Sequence, residues 1–174
     1  MANKASRTIQ EQIELLENRG MLFRDKAFAT ECLKRISYFR LKAYWWDMQC
    51  DPVNHVFTNG SCFEDVIERY EAIAYLRNIV AHHSRLWSRN MVKRPSEPRN
   101  PHNTWLSHQL SDLEAKRPFY IITAMLYLCD AVHPSNKLRE DISQLMKEYA
   151  HLPVQRMGFF EGWELESIWA TKKE

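Results

Sequence analysis

Residues 62–90 read CFEDVIERYEAIAYLRNIVAHHSRLWSRN, with no proline and no glycine. This run decides the fold, because its apolar positions recur at helical rather than alternating spacing. A helix over the whole run would be about 45 Å long at 1.5 Å per residue. A domain of this size has a radius of gyration of only about 15–16 Å. The helix is therefore expected either to protrude and pair with a partner or to break near Tyr70–Tyr75. Stepped at about 100° per residue, Asn78, His82, Arg85 and Arg89 share one face, with Arg77 on its shoulder. Ile73, Leu76, Val80, His83 and Trp87 fall opposite, so His83 reads as a supporting or core residue and Trp87 as packing. A buried helix has no use for a stripe of amide, imidazole and guanidinium. A phosphate-handling site does, since Arg makes forked bonds to phosphate oxygens and His moves protons near neutral pH.

Outward from this run the chain reads as all-α. It has 174 residues, only 4 of them glycine, and is rich in Leu, Glu, Lys and Arg rather than β-branched residues. The length suits one helical domain over 1–174. Residues 1–60 would supply N-terminal helices and an aromatic segment, and 61–174 the motif helix, a proline-rich loop and C-terminal helices. Thr8 and Glu11 form a capping box for a helix over 8–19 that ends at Gly20, and a second helix follows Asp25. Residues 35–46 (RISYFRLKAYWW) interleave aromatics with Arg40 and Lys42. Such a pattern can stack nucleic-acid bases; the reading preferred is a core seam with basic stems packed on rings. Residues 50–60 read as a loop, and Ser61 with Glu64 as a second capping box. Pro95, Pro98 and Pro101 mark another loop, and 105–116 a short helix. Pro118 opens a central buried helix to Val132, and Ser135 or Asn136 caps a last one with Leu138, Ile142, Leu145 and Tyr149 inward. The aromatic tail over 157–169 is expected to dock on the bundle.

The net charge is +2, but residues 77–99 carry six basic residues against one acid. A basic patch on a near-neutral body is a modest nucleic-acid signal, with Lys93 and Arg94 beside the stripe as further RNA contacts. No apolar run is long enough to span a bilayer and no signal-peptide core follows the N-terminus, so a cytoplasmic location without membrane contact is expected. Cys32, Cys50, Cys62 and Cys129 show no C-x-x-C pairing, and Cys50, His55 and Cys62 have no regular metal-ligand spacing. Neither a metal nor a cofactor is expected.

RNA can be cut without metal when its own 2′-hydroxyl attacks the adjacent phosphorus. That needs a base, an acid and positive charge for the pentacoordinate oxygens. His82 can serve as acid or base, and Arg77 only as charge and grip. One motif supplies one clear histidine. Two copies across a two-fold axis would supply both roles, so a homodimer through the motif helix is expected.

Arg77-Asn78-x-x-x-His82 resembles the R-N-x-x-x-H motif of HEPN ribonucleases, also found in the RNA-guided single-effector CRISPR nucleases. Three blocks are closer to the Abi family of abortive-infection HEPN proteins. They are Ile36–Trp45 (ISYFRLKAYW), Leu76–Arg89 (LRNIVAHHSRLWSR), and Met157-Gly158-Phe159 with Trp163. The resemblance implies a HEPN-like helical bundle, here with an N-terminal helical extension, that dimerises through its motif helices. It implies metal-independent RNase activity in phage defence, with Arg77 and His82 catalytic and Asn78 supporting. Arg85, Arg89, His83, Lys93 and Arg94 remain candidate RNA contacts. Some members of the family work with a small noncoding RNA, and an antitoxin is a possible partner. The chain departs from the family at Ser88, usually Asn, and at Phe160, often Pro. It also passes directly from Tyr70-Glu71 to the motif, where the family has a further helical stretch, and so reads as a short form. The competing reading is a non-catalytic helical module that binds RNA or a protein through the same basic stripe.

Overall fold

Helix α1, Ile9–Asn18, begins where the sequence places its capping box: Thr8 accepts from the Glu11 backbone, and the Glu11 carboxylate accepts from the Thr8 N–H at 2.7 Å. The computed structural model describes residues 7–98 and 105–170. Arg99 and Pro101 lie outside them. The chain forms two compact units that divide within one helix, after Ile67.

In the first unit, Ile13 and Leu16 of α1 are buried, and Gly20 reverses the chain at φ +93°. A Cβ there would lie 3.4 Å from the Phe57 carbonyl oxygen. Helix α2, Lys26–Arg35, starts at Asp25, whose side chain accepts from the Phe28 N–H, and buries Ala29, Cys32 and Leu33. Ser37 caps the single-turn helix α3, Tyr38–Leu41. The aromatic segment then divides. Leu41 and Trp45 are core, with the Trp45 ring edge-on to Tyr38 at 5.1 Å and to Phe57 at 6.2 Å. Phe39 is 83% exposed, so the expected core seam holds for only part of this segment.

The all-α expectation needs one correction. Residues 50–60, expected as a loop, contribute to an antiparallel pair, β1 (Gln49–Asp51) with β2 (Val56–Phe57), in register Gln49↔Phe57. Asp51 shapes its turn by accepting from the N–H groups of Val53 and Asn54. Leu22 and Cys62 add an isolated parallel bridge, and the other named elements among the described residues are helical.

Helix α4, Phe63–Ala81, joins the two units. Its start also differs from the expected capping box. The Ser61 hydroxyl donates to the Met48 carbonyl, while the Glu64 carboxylate accepts from the N–H groups of Arg24 and Asp25 and from the Cys62 thiol. Arg24 donates to the Cys62 sulfur and pairs with Asp65. Burial pushes the Glu64 carboxyl upward, but the Cys62 thiol and the backbone donors outweigh it and hold it below 4.5. A folded-state pKa below the unfolded one stabilises above the unfolded value and is lost as pH falls through the folded one. Glu64→Gln should therefore be less stable than wild type at neutral pH, and the gap should close as the pH falls into the acidic range in which the folded carboxyl takes up its proton. Urea midpoints of both chains across that range measure this; a gap independent of pH would contradict it.

The second unit is built on α5, Pro118–Val132, with Pro118 in its first turn as expected and most of its residues buried. The tail docks as its composition predicts. Phe119 meets Phe159 at 4.8 Å and Trp169 at 5.8 Å, Trp163 meets Trp169 at 5.0 Å, and the Trp169 indole donates to Thr123 at 3.1 Å. Gly158, at φ +92°, lets the tail pass Arg117, whose Cβ would lie 2.5 Å from any added Cβ. Two features were not expected. Residues 105–116 hold only a 3₁₀ turn, Glu114–Lys116. The buried Glu166 carboxylate instead accepts from the N–H groups of Ser107 and His108. Helix α6, Leu138–Glu148, starts beside Asn136, which accepts from the Leu138 N–H at 3.2 Å. It buries Arg139, while Leu145 and Tyr149, expected inward, are 44% and 43% exposed.

Candidate functional site

The motif occupies the end of α4. The helix breaks neither at Tyr70–Tyr75 nor at residue 90; it stops at Ala81. His82 keeps the helical bond, its N–H donating to the Asn78 carbonyl at 3.1 Å. The next residue, His83, adopts φ +51°. Its N–H donates to Val80 at 3.0 Å, and that of Ser84 donates back to Ile79 at 3.0 Å. This pair of bonds around a left-handed residue is a Schellman motif, with His83 in the position usually held by glycine. The chain reverses again at Ser88, φ +59°, whose carbonyl accepts from the Arg117 guanidinium at 3.0 Å. Met91, 3% exposed, then donates its N–H to the Lys116 carbonyl at 2.7 Å. The segment leaving the motif is thus anchored to the approach to α5.

This geometry corrects the four-residue stripe. Asn78 and His82 stay on one face of the helix end, but Arg85 and Arg89 lie beyond the turn. The inward face is also shifted. Ala72, Leu76 and Ile79 are buried, whereas Val80 is 55% exposed and His83 is exposed rather than in the core. Trp87 is half-buried. Arg77, Asn78, His82 and Arg85 are all exposed, and the Arg77 guanidinium donates to the Asn78 side-chain oxygen at 2.9 Å. Arg77, Asn78 and His82 are thus displayed to solvent by the last turn of one helix and its cap. Arg89 is half-buried and turns a guanidinium nitrogen to the Arg85 carbonyl at 3.3 Å.

Lys93 pairs with Glu71 at 2.6 Å and Arg94 with Asp112 at 3.2 Å. Pairs this exposed contribute little to stability. Glu71 and Arg117, which steady the surroundings of the motif, were missed in the sequence because their partners lie 22 and 29 residues away. A cleft of about 670 Å³ in the second unit is lined by Glu68, Glu97, Trp105, His108 and Tyr120 among others, and by none of Arg77, Asn78 and His82. Burial, then the Glu97 charge, pushes the Tyr120 hydroxyl up to about 12. Cys50 is exposed and the Cys62 thiol is engaged by Arg24 and Glu64. Among the described residues no group of three or more His, Cys, Asp or Glu is placed to hold a metal ion. Among the same residues no helix is long and apolar enough to cross a membrane.

The left-handed His83 has a measurable consequence. Such a conformation costs a non-glycine residue about 1–2 kcal/mol, and glycine is the residue favoured there. His83→Gly should raise stability by about 0.5–1 kcal/mol, a melting shift of roughly 1–4 °C for a chain of this size. A lower melting temperature would show that the helix does not end in this way.

Comparison with known proteins adds one match: residues 31–72 fit the family model of Abi-like proteins. No curated protein and no solved structure matches the chain. The matched segment contains the second half of α2, the aromatic block over 35–46, the β1–β2 pair and the first half of α4, and stops five residues before Arg77. Over that segment the chain is similar to the Abi-like proteins.

Proposed function

We propose that the chain is a metal-independent endoribonuclease that acts in abortive infection, a short form of the HEPN type. The observation that carries the reading is the joint exposure of Arg77, Asn78 and His82 at the capped end of α4. In the reaction, the 2′-hydroxyl of RNA attacks the neighbouring phosphorus. Its proton passes to a base, and the 5′-oxygen leaves with a proton from an acid, giving a 2′,3′-cyclic phosphate and a 5′-hydroxyl. The His82 imidazole supplies one of these proton transfers. The permanently charged Arg77 guanidinium stabilises the pentacoordinate phosphorane oxygens, and Asn78 holds that guanidinium in place. A second copy related by a two-fold axis supplies the other imidazole. The exposed Val80, on the same helical turn, gives such a seam an apolar contact.

Two observations support the short-form reading. The family match ends at Ala72, beside the Tyr70-Glu71 point where the resemblance puts the missing stretch. Helix α4 also runs through that point without a break. The direct test is incubation of the purified chain with single-stranded RNA in excess EDTA. Fragmentation at the same rate with and without chelator is expected. Loss of cleavage on chelation would overturn the metal-independent mechanism.

A further inference from the structure

One surface of the first unit is left unused by this function. Phe39 projects from α3 with 83% of its surface exposed, an expensive placement for a ring of that size. It meets the half-buried Tyr38 ring edge-on at 5.8 Å, and the Tyr38 hydroxyl accepts from Arg19 at 3.1 Å. On the following turn the Lys42 ammonium sits 5.7 Å from the centre of the half-buried Trp46 ring. His55, on the β1–β2 turn, lies within electrostatic reach of both Lys42 and Arg19. Burial lowers its pKa first, and the nearby charges of Lys42 and Arg19 lower it further. Its Nδ1 is buried without a hydrogen-bond partner. Asp51, whose charge acts on His55, accepts from the Asn54 side chain and the Val53 N–H.

We propose that this face is a single-stranded RNA-binding surface, with Phe39 and Trp46 stacking bases and Arg19 and Lys42 holding the phosphates. Single-strand binders combine aromatic platforms with a positive track in this way, because every base offers a π face and every linkage a negative charge. A protein partner would be met by a continuous apolar patch. Here the exposed Phe39 ring leans on Tyr38, which holds Arg19, and Lys42 covers the Trp46 ring one turn further on; rings interleaved with cations favour a polyanion with flat groups. The inference rests on reading the chain as an RNA-acting protein, and it assigns a binding role to the segment that carries the Abi-like match.

The test uses the full chain carrying His82→Ala, so that RNA is not consumed, and a fluorescein-labelled single-stranded polyadenylate oligonucleotide. Phe39→Ala should weaken binding about tenfold or more. Lys42→Ala should weaken it and lower the slope of log affinity against log salt by about one. Inorganic polyphosphate should compete poorly, since it offers charge without bases. Phe39 is exposed, so an unchanged melting curve for Phe39→Ala confirms that the variant is folded. Equal RNA affinity with and without Phe39 overturns the proposal and leaves the face to a protein partner. Equal competition by polyphosphate overturns the stacking role. If the wild-type chain cuts no RNA but Phe39→Ala still weakens binding, the nuclease reading falls and this surface stands.

Discussion

His82→Ala should reduce RNA cleavage by about 10²–10⁴-fold, the usual contribution of a positioned proton donor or acceptor. The size of the loss is interpretable because the His82 side chain does little for folding. It is exposed, and the helix cap uses its backbone N–H, which alanine retains. Stability should therefore change by no more than about 0.5 kcal/mol. Arg77→Ala should also lose most activity, since it removes both the charge and the group that Asn78 orients. Arg85→Ala should behave differently. That residue lies past the turn and outside the helical face, so its loss should weaken RNA binding and reduce salt dependence while turnover persists at high RNA. A chain in which Arg85→Ala is more damaging than His82→Ala would be an RNA-binding module, the competing reading.

The second large effect is on stability. Asp130 of α5 and Arg139 of α6 pair at 2.5 Å with side chains 8% and 4% exposed, and Arg139 also donates to the Ile168 carbonyl of the tail at 2.9 Å. One guanidinium thus ties two helices to the docked C-terminal segment. Asp130→Ala leaves that charge buried and opposed only by a carbonyl dipole. It also removes one of the two acceptors of the Asn136 amide, leaving the His133 carbonyl. Breaking a buried pair in this way costs about 3–5 kcal/mol, which lowers the melting temperature by roughly 6–20 °C for a chain of this length. Replacing both partners with apolar residues of similar volume should recover much of the loss, because the penalty is the unpaired charge rather than the missing attraction. Thermal melts of the single and double variants check this. A shift of under about 2 °C for Asp130→Ala would show that the pair is open to water.

What was legible in the sequence is what is decided locally. The Thr8–Glu11 box, the Asp25 cap, Pro118 in the first turn of α5 and the apolar run behind it each depend on residues within four positions. The docking of the aromatic tail was legible because that many rings cannot remain in water. The end of α4 was not, because its left-handed position is filled by histidine and no glycine marks it. A helix carried nine residues further, to residue 90, yields a stripe in which only Asn78 and His82 belong together. The β1–β2 pair escaped because two- and three-residue strands show no alternation. The irregular path over 105–113 is set by Glu166, 58 and 59 residues away in sequence. The pattern of α6 marks an apolar face but not what covers it, and Leu145 and Tyr149 remain half in solvent. For the proposed site, residue types and spacing single out Arg77, Asn78 and His82 as candidates. Their shared exposure follows from where α4 stops, which no local signal in the sequence marks.

The account stands or falls on intramolecular attack by the 2′-hydroxyl, assisted by His82 and Arg77. The end groups of RNA fragments produced by the full chain in EDTA report this directly. Fragments ending in 2′,3′-cyclic phosphate and beginning with 5′-hydroxyl are predicted, and they should vanish in His82→Ala. Fragments bearing 5′-phosphate and free 3′-hydroxyl, the signature of attack by water, would contradict it.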